Sequence, residues 1–496
     1  MTDNRKKHIC RPSLRHTASA VLAGMALMLC ACSDYETFTT SPYDRLTFSA
    51  DTISLDTVFS QVPSSTRTFW VYNKNKDAVR CTNIKLGKGN QTGFRVNVNG
   101  ISLGESQGYQ IFDEDIFGGD SIRVYVELTS PANGGKEPLL VKDNLVFTLE
   151  SGERQSIELK AWSWDANLLT NPVIENDMVL DTSSPTVIYG SLTVKEGACL
   201  TLPPGATLYM HDKAVIDVFG RLICNGEKDN EVTIRGDRLD RMFDYLPYDG
   251  VSGQWGGILL HESSYGNVIR FTDIHAATDA IVCDSADTAR QKLTLSHSTV
   301  HNNKGYGIKA DNCRLTIENS LISNTLSDCV ALYGGIATIN NTTIAQFYPF
   351  DANRGFGLSL TDRMNGTPRA VPSLHVTNSI LTGYGENCLG ISIPDSVDTD
   401  CRFDHCLLRT QKTYVDTTKV TACIYEEAGD TTSAGWKNFA KVDTALLQYD
   451  FSLSETSAAI DAADKATSLP DDRKGEPRDD KPDMGCFELK RESEKQ

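Results

Sequence analysis

Between residues 290 and 410 the apolar positions fall into a repeating frame. Leu293 and Leu295, Leu315 and Ile317, Ala337 and Ile339, Leu374 and Val376, and Cys401 and Phe403 form five alternating pairs. The second member recurs at 295, 317 and 339, each 22 residues after the last, and again at 376 and 403 with extra residues inserted. Upstream, Ile269 to Ile274 reads as a shortened copy, with Phe271 in the place of Leu295. Strict alternation predicts short strands that present these side chains on one face. A 22-residue period suits one coil of three short strands and three turns, and one coil cannot bury that face alone. Stacking coils about 4.8 Å apart turns the repeats into continuous apolar columns. A second family of short apolar segments follows the first: Ile281, Ile308, Val330 with Leu332, Leu358, and Leu389 with Ile391. The crossover rule for parallel strands makes the coil right-handed. The expectation is an all-β chain with a right-handed parallel β-helix over 170–450.

The polar positions repeat as well. Asn319, Asn341 and Asn378, with His297 and His405 at the ends, follow the first strand of each coil. Asparagine tolerates the left-handed backbone of a sharp turn, and its amide can bond to the copy above. The next column, Ser298, Ser320, Thr342, Ser379 and Cys406, is uniformly small. Over 43–165 the pattern changes. Short alternating runs such as Phe69/Val71, Ile84/Leu86, Ile122 to Leu128 and Leu145 to Leu149 are separated by Asn99-Gly100, Gly118-Gly119 and Gly134-Gly135. Strands at that spacing predict a β-sandwich. Residues 451–496, with Leu469, Gly475, Arg478, Gly485 and Phe487, are expected to end the solenoid as a capping segment and tail.

The N-terminus has a third pattern. Arg5, Lys6, Lys7, Arg11 and Arg15 precede an apolar run from Ala18 to Ala31. The run is short for a membrane span, which needs about 20 residues, and its basic flank fits a secretory signal peptide over 1–31. Residues 32–42 then form a linker. The chain carries 48 Lys and Arg against 65 Asp and Glu, a net charge of −17, which argues against binding nucleic acid or anionic membranes through bulk charge. Fourteen cysteines in an exported chain suggest disulfides. However, Cys313, Cys329, Cys388, Cys401 and Cys406 fall where the coil wants small buried residues, and no zinc-finger spacing occurs. They are expected in the core, with a Cys401–Cys406 bridge left open.

These residues carry several resemblances. Leu29-Cys30-Ala31-Cys32 resembles the bacterial lipobox, which implies lipidation of Cys32 and a membrane anchor through that lipid. The acids Asp34 and Glu36 just after it resemble the surface-export signal of Bacteroidota lipoproteins. That implies the outer membrane and its outer face, with the periplasmic face as the alternative. Residues 68–73, 82–86 and 141–149 resemble the Ig-like domains of Bacteroidota surface proteins. The Asn ladder, the stretch from Gly197 to Met210, and Trp255 to Ile258 resemble the pectate-lyase-like β-helix superfamily.

In that superfamily a lyase uses a basic residue beside a uronate carboxylate, often with calcium held by Asp or Glu. Here no such carboxylate set repeats at coil spacing with a basic partner. The Asp471-Asp472 and Asp479-Asp480 doublets fall in the C-terminal segment. No catalytic residue and no metal ligand is therefore assigned, and His297 and His405 are read as turn residues. The strongest candidate is the insertion between Ile234 and Trp255, because solenoid insertions become flank loops. Arg241, Phe243, Asp244, Tyr245, Tyr248 and Trp255 are its candidate ligand-binding residues: aromatics stack on sugars, and Asp and Arg bond their hydroxyls. The alternative is that the aromatics fold back over the core. A second insertion, from Ala345 to Pro372, could wall the same groove only if it projects from the same side. The expected function is a non-catalytic surface lipoprotein binding polysaccharide or another surface protein. The alternatives are a polysaccharide lyase or glycoside hydrolase, with calcium only in the lyase case, and a structural spacer.

Overall fold

The computed structural model describes residues 37–243, 245–369, 373–394, 397, 399–412, 417–426 and 435–490. The expected signal segment over 1–31, Cys32 and Asp244 lie outside them. The chain forms two compact units. One comprises the described part of Met1–Ser54 with Ser65–Thr129 and Lys142–Lys160; the other comprises Leu55–Ser64, Ser130–Val141 and the described part of Ala161–Gln496.

The N-terminal strands form an Ig-like β-sandwich of two five-stranded sheets. Arg67–Tyr72 pairs antiparallel with Ser121–Leu128, and Val79–Leu86 with Leu139–Leu149. Alternation sorts the side chains. Phe69, Val71, Val124, Val126, Ile84 and Phe147 are buried, while Trp70 and Tyr125 point out.

The rest is the solenoid, with an 18-stranded and a 10-stranded parallel sheet. One coil runs from the strand Arg314–Glu318 through Leu321–Thr325 and Val330–Tyr333 to Ile336–Asn340, which opens the next. The register keeps the repeat in columns. Leu293 pairs with Leu315, Leu315 with Ala337, Ala337 with Leu374, and Leu374 with Cys401. Leu295, Ile317, Ile339, Val376 and Phe403 form the second column, and all are buried in one continuous core. The second family stacks likewise: Ile281 on Ile308, Val330, Leu358 and Leu389. Gly257 shows how close the coils come. Its φ is +125°, and a Cβ there would lie 1.7 Å from the Asp279 carbonyl oxygen.

The shortened copy is offset by two residues from the sequence reading. Ile269, not Phe271, pairs with Leu295. Phe271 instead occupies the turn column, with φ +41°, and its ring stacks on His297 at 4.6 Å. The place of Leu293 falls to Asn267, whose buried amide donates to Ser264 Oγ and to the Lys292 carbonyl. A polar residue in an apolar column hid the frame.

The turn column is left-handed throughout: φ is +49° at His297, +42° at Asn319, +44° at Asn341, +48° at Asn378 and +47° at His405. The small column bonds coil to coil, with the Ser298 N–H donating to Ser320 Oγ and the Thr342 N–H to Ser379 Oγ. The eleven described cysteines are all free, ten of them buried.

The C-terminal segment runs back along the flank of the solenoid as a strap. Asparagine carbonyl oxygens in the turn column receive it. The Asp464 N–H donates to Asn378 Oδ1 (2.8 Å), the Leu469 N–H to Asn341 Oδ1 (2.9 Å), and Arg478 to Asn319 Oδ1 (3.2 Å). The Asn amides thus serve the strap more than the next coil. Met484, Cys486 and Phe487 pack with Leu321, Ile380 and Leu407 on the outside of the sheet. Arg478 also donates to the Asp483 and Gly485 carbonyls, and it pairs with Glu488 at 3.1 Å with both side chains buried. Removing one partner of a buried pair strands the other. Arg478→Ala should therefore lower unfolding stability by about 3–5 kcal/mol. Amide exchange in the strap should rise first. A loss under about 1 kcal/mol in denaturant titration would count against this account.

Candidate functional site

The flank of the solenoid carries a second set of columns, made of outward-facing residues. On the strands Val232–Gly236, Thr272–His275 and Thr299–Asn303, Ile234, Ile274 and Val300 point into the core. Their neighbours necessarily point out. Ile234 pairs with Ile274, so Arg235 lies beside His275, and His275 pairs directly with His301. Asp273 pairs with Thr299. Two imidazoles and a carboxylate from two successive coils therefore share one patch.

The first insertion closes over this patch. It is fastened at its end, where the Gln254 N–H donates to the Ala276 carbonyl (2.7 Å) and the Gln254 amide to the Val251 carbonyl (2.9 Å). That brings Asp249 back so that its Oδ1 lies 2.8 Å from His275 Nε2 and 2.7 Å from Arg235 Nη2. On the other side of the ring, His275 Nδ1 lies 2.6 Å from Asp273 Oδ1, which is also 3.2 Å from His301 Nε2. The two imidazole rings are 4.8 Å apart. The result is a chain of alternating partners, Arg235, Asp249, His275, Asp273 and His301. Asp273, His275 and His301 each offer one donor atom within 4.8 Å of the others, so they could hold a metal ion. At the rim, Arg473 from the strap donates to Thr299 Oγ1 and pairs with Glu231.

These contacts set the charges. Burial works against a charged His275, but the Asp273 charge and the hydrogen bonds to Asp249 and Asp273 outweigh it and raise its pKa to about 9. Burial pushes Asp273 upward, yet the two imidazoles hold it well below the usual carboxylate range. Asp249 is likewise opposed by burial and lowered by its bond to His275 and by Arg235. As it stands, the cluster pairs an imidazolium with two carboxylates.

The expected ligand residues divide. Arg241, Phe243 and Tyr245 are exposed on a small hairpin, Arg241–Phe243 against Leu246–Pro247, anchored by buried Leu246. Phe243 and Tyr245 are 55% and 48% exposed, with rings nearly parallel and 5.7 Å apart. Tyr248 is half-buried, and the Arg238 guanidinium lies 3.7 Å from its ring centre. Trp255 is not on the surface. It is 1% exposed in the core, and its indole N–H donates to the His275 carbonyl (2.8 Å). A large ring beginning a coil strand is worth more buried than exposed, and here it fixes the backbone of the cluster. Asp244 lies outside the described residues. The second insertion does project from the same side: Tyr348 Oη meets Ser252 Oγ at 2.9 Å. Within it, Phe347 is buried in the strap's core, while Phe350 is exposed.

Asp249, Asp273, His275 and His301 are not among the residues that the sequence singles out. A signal was present one residue past the aligned repeats. Asp273-Ile274-His275 and Thr299-Val300-His301 match in the same frame. The repeat is legible through its inward and turn positions, and Asp273, His275 and His301 face outward on the strands that follow the turn.

No protein-family model matches the chain, and no curated protein matches it. Among solved structures, a likeness is found to an ASH/PapD-like domain of human CEP192. It is 12% identical, covers 26% of this chain and 92% of that one, and has a TM-score of 0.18.

For protein dialysed against a chelator, the His275 ring should stay protonated until about pH 9 in a histidine-labelled NMR titration. The sign follows from a pKa raised above the unfolded value of about 6.5. The stabilisation is complete below pH ~6.5 and is lost as pH rises through about 9. A ring that titrates near pH 6.5 would contradict the arrangement.

Proposed function

We propose that this chain is a surface lipoprotein of the outer membrane of a Bacteroidota bacterium, anchored through a lipid on Cys32. In this reading its pectate-lyase-like solenoid presents a non-catalytic site for polysaccharide. The observation that carries the reading is the exposed Phe243–Tyr245 pair, on a hairpin fixed to a rigid solenoid. Parallel aromatic faces held in place give sugar rings a stacking platform at low entropic cost. Arg241, exposed on the same hairpin, carries a guanidinium. The adjoining second insertion adds exposed Phe350.

The central groups favour binding over catalysis. Arg235 and His275 both engage Asp249, and both nitrogens of His275 face carboxylates. A general base needs an uncommitted lone pair within reach of substrate.

In affinity electrophoresis against neutral and acidic polysaccharides, the purified protein should be retarded by at least one glycan. Tyr245→Ala and Phe243→Ala should each weaken that binding about tenfold, near 1.4 kcal/mol. Unsaturated products or new reducing ends, with or without calcium, would replace this reading with the lyase or hydrolase one. Silence in both assays would favour a protein partner or a spacer.

The anchor is tested separately. Cys32→Ser should move the protein from the membrane to the soluble fraction and abolish metabolic labelling with a fatty acid. A membrane-bound, labelled Cys32→Ser protein would refute the assignment.

A further inference from the structure

The glycan reading assigns no ligand to the cluster beneath the first insertion, and the geometry there fits a metal ion. Asp273 and His275 stand two residues apart on one strand and share its outer face. His301 comes from the next coil, in register with His275. Coil stacking sets the two rings 4.8 Å apart. His275 Nδ1 and His301 Nε2 both point at one atom, Asp273 Oδ1, at 2.6 and 3.2 Å. Two ring nitrogens converging on one carboxylate oxygen is the arrangement of a ligand set whose protons stand where an ion would. Zinc needs nitrogen and oxygen donors at about 2.0–2.2 Å. The Asp273 carboxylate is 30% exposed, and an outward turn of it would admit the ion between the two ring nitrogens.

The surroundings have the second feature of a built site. A metal-bound histidine usually gives its other ring N–H to a carboxylate, which orients the ring and raises its basicity. His275 Nε2 faces Asp249 in that way at 2.8 Å, and Arg235 holds Asp249 in turn at 2.7 Å. Below the ligands the backbone is immobilised: Ile274 is in the core, and the Trp255 indole N–H bonds the His275 carbonyl. Sites on packed strands keep their geometry better than sites on loops.

The donor set decides the kind of ion. Two imidazoles and one carboxylate suit zinc and neighbouring divalent transition ions. Calcium and magnesium prefer oxygen alone. Thiolate is absent from the set. We propose that Asp273, His275 and His301 form a site for one divalent first-row transition ion, of which zinc is the commonest fit. Asp249 acts as a positioning residue through His275, and water fills the remaining coordination. The site is independent of the glycan reading and stands if that reading fails.

The test is a cobalt(II) titration of the full chain after chelator treatment, with zinc as competitor and circular dichroism as the folding control. The expected result is uptake of one cobalt per chain with visible d–d absorption, no thiolate charge-transfer band, and displacement by one equivalent of zinc. His301→Ala, the substitution least demanding of the fold, should weaken cobalt binding at least about 100-fold, and Asp273→Asn likewise. Asp249→Asn should weaken it about 10- to 100-fold while leaving the ligand count at one. No saturable uptake, uptake unchanged in folded His301→Ala, or a thiolate charge-transfer band marking cysteine ligation would each overturn the proposal.

Discussion

Parallel stacking of coils in constant register is the constraint on which the rest of this molecule depends. Each strand is satisfied by the one above and the one below, and each inward side chain is covered by its own counterpart. No coil is stable by itself, so the sequence must return the same residue class to the same place every turn. Apolar columns inside, a left-handed turn at His297, Asn319, Asn341, Asn378 and His405, and a small side chain next to it all follow from that requirement. Gly257 marks the limit of approach, since any Cβ there would occupy the space of the Asp279 carbonyl.

The same regularity has a consequence on the outside. A turn column lined with amides is a row of hydrogen-bonding groups that would otherwise face water. The C-terminal strap uses it, donating to the side-chain oxygens of Asn319, Asn341 and Asn378 and covering the apolar outer face at Leu321, Ile380 and Leu407. Arg478 holds the strap's own fold by donating to two of its carbonyls and to Glu488. Burial pushes the Glu488 carboxyl upward, and Arg478 opposes it.

The outward polar cluster and the exposed aromatics sit where regularity is interrupted. The outward column Arg235, His275 and His301 is polar in place of the small or apolar residues found further along, such as Ser323 and Ala345. The first insertion, anchored by Gln254 and by buried Leu246, brings Asp249 onto that column and leaves Phe243 and Tyr245 in solvent. One loop thus supplies both an exposed aromatic pair and a carboxylate for the cluster beneath it. The second insertion meets it through Tyr348 and Ser252.

The amino-acid sequence by itself determined the coil, its period, its inward columns and its left-handed turns, because burial and backbone sterics act on each repeat in the same way and leave a periodic trace. It also located the first insertion and its aromatics, since an interruption of a period is visible, but left open whether they face solvent or the core. The offset at Phe271 shows the limit of such reading: a buried Asn267 in an apolar column broke the frame by two residues. Tertiary structure alone decided the rest. Whether Trp255 faces solvent or core depends on what covers it, and here the coil does. Whether Asp249 meets His275 depends on the path of a loop that no periodicity governs. The strap crosses the flank because distant backbone N–H groups happen to find asparagine oxygens, and such pairings leave no local signature. Periodic burial is written along the chain; contacts between aperiodic segments arise only when the fold brings them together.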